Sequence, residues 1–136
     1  MKYDVIHNLN NNRFQLVALR DNDTHGVKTG DKGGYVDSIG VLSQDGDCWI
    51  AEDGYVGEKS RVTDNALVNG NAIVDSHSVI SGNVVITDNA HITQSEISGN
   101  LTVSGNSFID SSVMHSDEKI MLKNFTNISD LDHNDD

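Results

Sequence analysis

The sequence contains no proline and a single cysteine, Cys48, and aromatic residues make up only 5% of its 136 positions. One thiol forms no internal disulfide, so no covalent staple holds the fold, and a cytoplasmic, reducing compartment is the simplest expectation. With so few rings, a core must come from many small β-branched contacts, which points to a stacked architecture. Basic residues are also scarce: 9 Lys and Arg stand against 21 Asp and Glu, a formal charge of −12. That balance argues against direct, sequence-independent binding to nucleic acid and against binding an anionic membrane, both of which need a basic surface. It leaves open a partner that is itself basic. No apolar run reaches the roughly 20 residues that cross a bilayer, and the start MKYDVIHNLN has neither the basic nor the apolar block of a signal peptide.

What the sequence does have is a repeat. Branched aliphatic residues fall at Ile50, Val56, Val62, Val68, Val74, Ile80, Ile86 and Ile92, each six positions after the last. One five-residue step leads to Ile97, and the sixfold rhythm resumes at Val103 and Ile109. A second column, two positions before each anchor, is mostly small: Cys48, Gly54, Ser60, Ala66, Ala72, Ser78, Val84, Ala90, Ser95, Leu101 and Ser107. Pairs such as Asp64-Asn65, Gly70-Asn71, Gly82-Asn83 and Asp88-Asn89 separate the units. Gly, Asn and Asp accept positive φ and make tight corners. Each unit therefore reads as a short strand whose small and aliphatic residues share one face, followed by a two-residue corner. Helix is excluded by glycine and asparagine recurring within every dozen residues, and a meander of hairpins by the shortness of the strands. A solenoid of parallel β-coils remains.

Units such as Val68-Asn69-Gly70-Asn71-Ala72-Ile73 and Val103-Ser104-Gly105-Asn106-Ser107-Phe108 resemble the hexapeptide repeat of left-handed β-helix proteins, in which three hexads close one triangular coil. The stretch from Leu16 to Ile50, with Ala18-Leu19-Arg20-Asp21, Gly30-Asp31-Lys32-Gly33-Gly34-Tyr35-Val36 and Leu42 to Ile50, is similar to the leader of small "GNA-x-V" repeat proteins of phage and prophage genomes. The resemblance covers roughly residues 15–113. It implies an all-β chain: a left-handed parallel β-helix of about three to four coils over residues 50–115, an N-terminal β cap over 1–49, and a short C-terminal cap and acidic tail over 116–136. Candidate cap strands are Asp4 to Ile6 and Phe14 to Leu19. Ser116 to Lys123 reads as a capped helical turn or apolar flap, and the tail beyond Ser129 as disordered.

Stacking the coils places one outward residue of each hexad in a column. One column holds Trp49, Leu67, Val85 and Thr102; another Tyr55, Ile73, His91 and Phe108; the third Arg61, Val79 and Glu96. The first two are apolar, and a contiguous apolar strip marks an interface, here a homo-oligomer, dimer or trimer. On this reading Trp49→Lys or Ile73→Lys breaks the oligomer and leaves the fold intact. Cross-strand packing alone would also favour β-branched and aromatic residues there.

Signals of catalysis are weak. The hexapeptide superfamily includes acyltransferases with a histidine base, usually beside an extended loop, and zinc enzymes. This chain has no insertion in the rod, and His77 and His91 lie 14 positions apart, on different faces. With His115 they do not converge as three zinc ligands must, so no catalytic residue, metal or cofactor is expected. Cys48 lies in the inward column and reads as a buried structural thiol. Gly33-Gly34 is too short for a phosphate loop and reads as a tight turn entering Tyr35-Val36.

The acids Glu52, Asp53, Glu58, Asp64 and Asp88 fall at corners. They can present charge to a basic groove as duplex phosphates do, or serve solubility alone. Acidity, apolar columns and the phage-like leader together imply a non-enzymatic binding module. Its concrete form is an inhibitor of a host nucleic-acid-handling defence complex, anti-CRISPR-like and a DNA mimic, acting in the host cytoplasm on a basic protein or nucleoprotein complex. The alternatives are an acyltransferase-like enzyme and a structural piece of a virion or filament.

Overall fold

A computed structural model describes residues 1–127. The chain enters through β1 (Tyr3–Asn8), β2 (Arg13–Ala18) and β3 (Lys32–Val36), with a short 3-10 turn at Ile39–Val41. There follow β4 (Trp49–Ile50), β5 (Tyr55–Val56), β6 (Arg61–Val62), β7 (Leu67–Val68), β8 (Ile73–Asp75), β9 (Val79–Ile80), β10 (Val85–Ile86) and β11 (His91–Thr93). The last are β12 (Glu96–Ser104), β13 (Phe108–Asp110), β14 (Val113–Lys123) and β15 (Thr126–Asn127). The protein is a parallel β-helix. Tyr55 pairs with Ile73, Ile73 with His91 and His91 with Phe108, while Trp49, Leu67, Val85 and Thr102 pair in the same way, as do Arg61, Val79 and Glu96. The three columns read from the sequence are thus the three faces of the rod, in the expected register.

The reason is the inward pair of columns. Every aliphatic anchor from Ile50 to Ile109 is fully buried, and so are the small residues two positions earlier. Each fully buried Val or Ile contributes about 1.5–3 kcal/mol, and a small neighbour lets the chain turn without crowding the axis. The serines among the small residues have a further task. The Ser78 N–H donates to Ser60 Oγ (3.0 Å), the Ser95 N–H to Ser78 Oγ (3.2 Å) and the Ser112 N–H to Ser95 Oγ (3.0 Å). The hydroxyls of Ser78, Ser95 and Ser112 donate in turn to the carbonyls of Asp75, Thr93 and Asp110. Polar groups are thereby buried without being orphaned.

The rod is longer than the sixfold spacing indicates. On the first face β3, β5, β8, β11, β13 and β15 stack in parallel, so five coil-to-coil steps replace the expected three to four. The leader supplies one coil: Tyr35 pairs with Tyr55, Leu42 bridges to Val62 and Trp49 pairs with Leu67. Its first two of those steps are 20 residues rather than 18, which hides them from a hexad search. The C-terminal segment supplies another. Ser116 to Lys123 is not a helical turn or flap but part of β14, parallel to β12. Its Met114, Ile120 and Leu122 continue the inward columns of Ile97, Leu101 and Val103. Three corner residues, Asp117 to Lys119, stand opposite Asn100 alone. The expected tail beyond Ser129 lies outside the described residues.

The N-terminal end is closed by β1 and β2, an antiparallel hairpin that pairs antiparallel with β3 and extends the first face. Lys2, 2% exposed, points its ammonium at the Cys48 carbonyl (2.8 Å), the Gly46 carbonyl (3.3 Å) and Cys48 Sγ (3.2 Å). Burial is the leading influence on the Cys48 thiol and pushes its pKa up, against the neighbouring ammonium. Tyr3 is fully buried, and its hydroxyl donates between the carbonyls of Ile39 and Leu42. Among the described residues no helix is long and apolar enough to cross a membrane.

Burial, reinforced by the nearby Cys48, pushes the Tyr3 phenol up from 10.0 to about 12. A folded pKa above the unfolded one means that this stabilisation is complete below about pH 10 and is lost as pH rises through about 12. The urea midpoint is expected to fall over that window. Tyr3→Phe leaves two carbonyls without their donor and is expected to cost about 1–3 kcal/mol at neutral pH, measured by urea unfolding. An unchanged midpoint in the variant contradicts this account of the cap.

Candidate functional site

The first face carries the richest outward chemistry. Along it run Tyr35, itself buried beneath the cap, and then Tyr55, Ile73, His91 and Phe108, each one coil from the next. The His91 and Phe108 rings meet at 5.3 Å with a tilt of 56°. From the cap, the Arg13 guanidinium lies over the Tyr35 ring at 4.0 Å and reaches towards Tyr55 at 5.7 Å, an attractive cation–π placement.

Two positions further along each strand is a second outward column: Asp37, Gly57, Asp75, Thr93 and Asp110. Gly57 makes room here. A Cβ at that position would meet the Tyr55 hydroxyl at 2.1 Å and Asp37 Oδ2 at 3.0 Å, so the missing side chain is the space that the phenol fills. The carboxylates are held in place. Asp37 accepts from the Glu58 N–H (2.7 Å), Asp75 lies 3.2 Å from His91 Nε2, and Asp110 accepts from the Thr93 hydroxyl (2.6 Å). Burial raises the Tyr55 pKa first, and the carboxylates of Asp37, Glu58 and Asp75 raise it further. The result is a strip of aromatic and aliphatic groups flanked by a row of acids. Sequence reasoning named the first column but not the second. The signal was the residue after each anchor, at Val36, Val74 and Ile109.

The second face departs from expectation at its first member. Trp49 is 2% exposed and is not a sticky outward residue. Its indole packs against β3 so closely that a Cβ at Gly33 would come within 2.7 Å of the ring. Trp49 belongs to the cap, whereas Leu67 and Val85 are half-buried and Ile73 on the first face is exposed. Trp49→Lys therefore tests the fold, not an interface.

The corner acids are built into the coil. Glu52, Glu58, Asp64 and Asp88 all have positive φ, strained for a side chain that cannot help the local backbone. Glu52 accepts from the Gly70 N–H (2.8 Å), Asp64 from Gly82 (2.9 Å) and Asp88 from Gly105 (2.8 Å), each one coil on. Glu58 accepts from the Ser76 hydroxyl (3.1 Å). Asp53 is exposed and projects charge. Among the described residues no group of three His, Cys, Asp or Glu side chains is placed to hold a metal ion. His77 lies at a corner and His115 is 2.8 Å from Asp117.

Fold and face define an acidic parallel β-helix with one mixed aromatic and carboxylate side. No protein-family model matches the chain, and a comparison with curated proteins finds no match.

Asp88→Asn keeps an acceptor for the Gly105 N–H and a side chain that tolerates positive φ, so it is expected to be nearly neutral. Asp88→Ala removes the acceptor and is expected to cost about 1 kcal/mol. Equal thermal midpoints for the two variants contradict a structural role for the corner acids.

Proposed function

We propose that this protein is a non-catalytic binding module that docks the first face onto a basic protein. The observation that carries this reading is the row of Asp37, Asp75 and Asp110 beside Tyr55, Ile73, His91 and Phe108. Arginine and lysine side chains pair with carboxylates while their stems and planes pack on rings. A rigid β-helix offers that pattern with little ordering cost on association. The net charge of −12 adds long-range attraction to any basic surface and repels nucleic acid itself. The resemblance to phage repeat proteins supports the concrete form: an inhibitor, anti-CRISPR-like, that occupies a basic groove of a host nucleoprotein defence complex in the cytoplasm. The corner acids Glu52, Asp64 and Asp88 add to the field, but their carboxylates, like that of Asp37, are tied to backbone N–H groups. Asp75 and Asp110, partnered by the His91 and Thr93 side chains of the face itself, are the specific part.

Capture from host lysate on immobilised protein is expected to retain one basic partner at low salt and to lose it as salt rises. Asp75→Lys with Asp110→Lys on the first face is expected to abolish retention, while Asp53→Lys at a corner weakens it only slightly. A partner held equally well by both variants overturns the docking face. Retention of nucleic acid alone, or turnover of an acyl donor, overturns the binding reading.

A further inference from the structure

The two ends of the rod differ. The N-terminal end is covered by the hairpin, while at the C-terminal end the last coil has no further strand over β14 among the described residues. Among the described residues β14 pairs only with β12. At 11 residues it is the longest strand described, and a long unpaired strand is a template for further pairing. The edge groups can be identified. Throughout the rod, outward residues send their N–H to the carbonyl one coil on: Tyr55 to Ala72, Leu67 to Val84, Thr87 to Val103 and Glu96 to Ser112. The outward residues of the last coil, Val113 and His115 on one face and Met121 and Lys123 on the next, have no later coil among the described residues. Their side chains include Val113, 80% exposed, and Met121, 61% exposed. Inside the coil Met114 and Leu122 are only half-buried.

We infer that a second copy of this chain covers this edge, joined tail to tail by antiparallel pairing of β14 with itself. A triangular coil is unchanged by a half-turn about an axis in its own plane through one corner, and that half-turn exchanges the two faces that meet there. The corner of β14 is Asp117 to Lys119, and an axis at Glu118 sets the register. Met114 then faces Leu122 of the second copy, both from inward columns, and His115 faces Met121 while Val113 faces Lys123, all from the hydrogen-bonding set. Side-chain direction and hydrogen-bond parity agree in this one register, as an antiparallel ladder demands. At the corner Asp117 faces Lys119 twice, on either side of the two Glu118 side chains, so opposite charges flank the axis. The contact is isologous and closes at two copies, and it leaves the first face of both copies free.

Light scattering on the full chain is expected to give twice the monomer mass. Met121→Pro removes only an outward N–H, which an edge strand tolerates, and is expected to give a monomer with an unchanged circular dichroism spectrum. Paired substitutions His115→Cys and Met121→Cys, on different faces of one rod, are expected to yield a covalent dimer under an oxidant, whereas either alone does not. Ile73→Lys on the first face is expected to leave the dimer intact, which separates this contact from the docking face. A monomeric wild type, as when residues 128–136 cover the edge themselves, overturns the inference. So do open polymers, or a dimer that persists in Met121→Pro.

Discussion

Everything in this fold depends on one constraint: each side chain must lie directly over a like side chain one coil away. Backbone hydrogen bonds between coils fix the spacing, and within it an aliphatic anchor can meet only another anchor. The small column leaves room at the axis, and its serines keep their hydroxyls by passing hydrogen bonds from coil to coil. Because the columns are continuous, an error in one coil is felt by its two neighbours and little beyond them. Proline, absent from the sequence, would delete one link of a ladder that has no spare.

That constraint explains what the sequence reveals. The sixfold recurrence of Ile and Val is the ladder seen in one dimension, so fold class, inward columns and outward register could all be read directly. Coils whose length departs from the repeat could not. The leader coil is lengthened by two residues between Leu42 and Trp49, and the last coil by the corner at Asp117 to Lys119. In both, pairing with a neighbour decides the structure where local pattern does not. Trp49 was misplaced for a related reason. Its position in the hexad is outward, but the chain of β3 passes over it, and no periodicity encodes contact with a cap.

Charge has two roles here that composition alone merges. Corner carboxylates accept N–H bonds from the next coil and stabilise a backbone conformation that most side chains resist. First-face carboxylates are aligned by strand register beside rings and a guanidinium. Only the second group lies beside the outward rings of the first face. The candidate face was half legible, because hexad reading counts the residue between the two inward positions and overlooks the one after the anchor.

The five-residue step between Ile92 and Ile97 has a mechanical meaning. Before it, the corner joining the first and third faces takes two residues of positive φ, Glu58-Lys59 and then Ser76-His77; from it onward, one residue, Gln94 and then Ser111, makes the same turn. One ridge of the prism is therefore stepped partway along its length. A perfect repeat looks the same after sliding by a coil, and a surface gripping it could slip. The step gives the prism a fixed reference mark, so anything that clasps that ridge has a single seating position and a single direction.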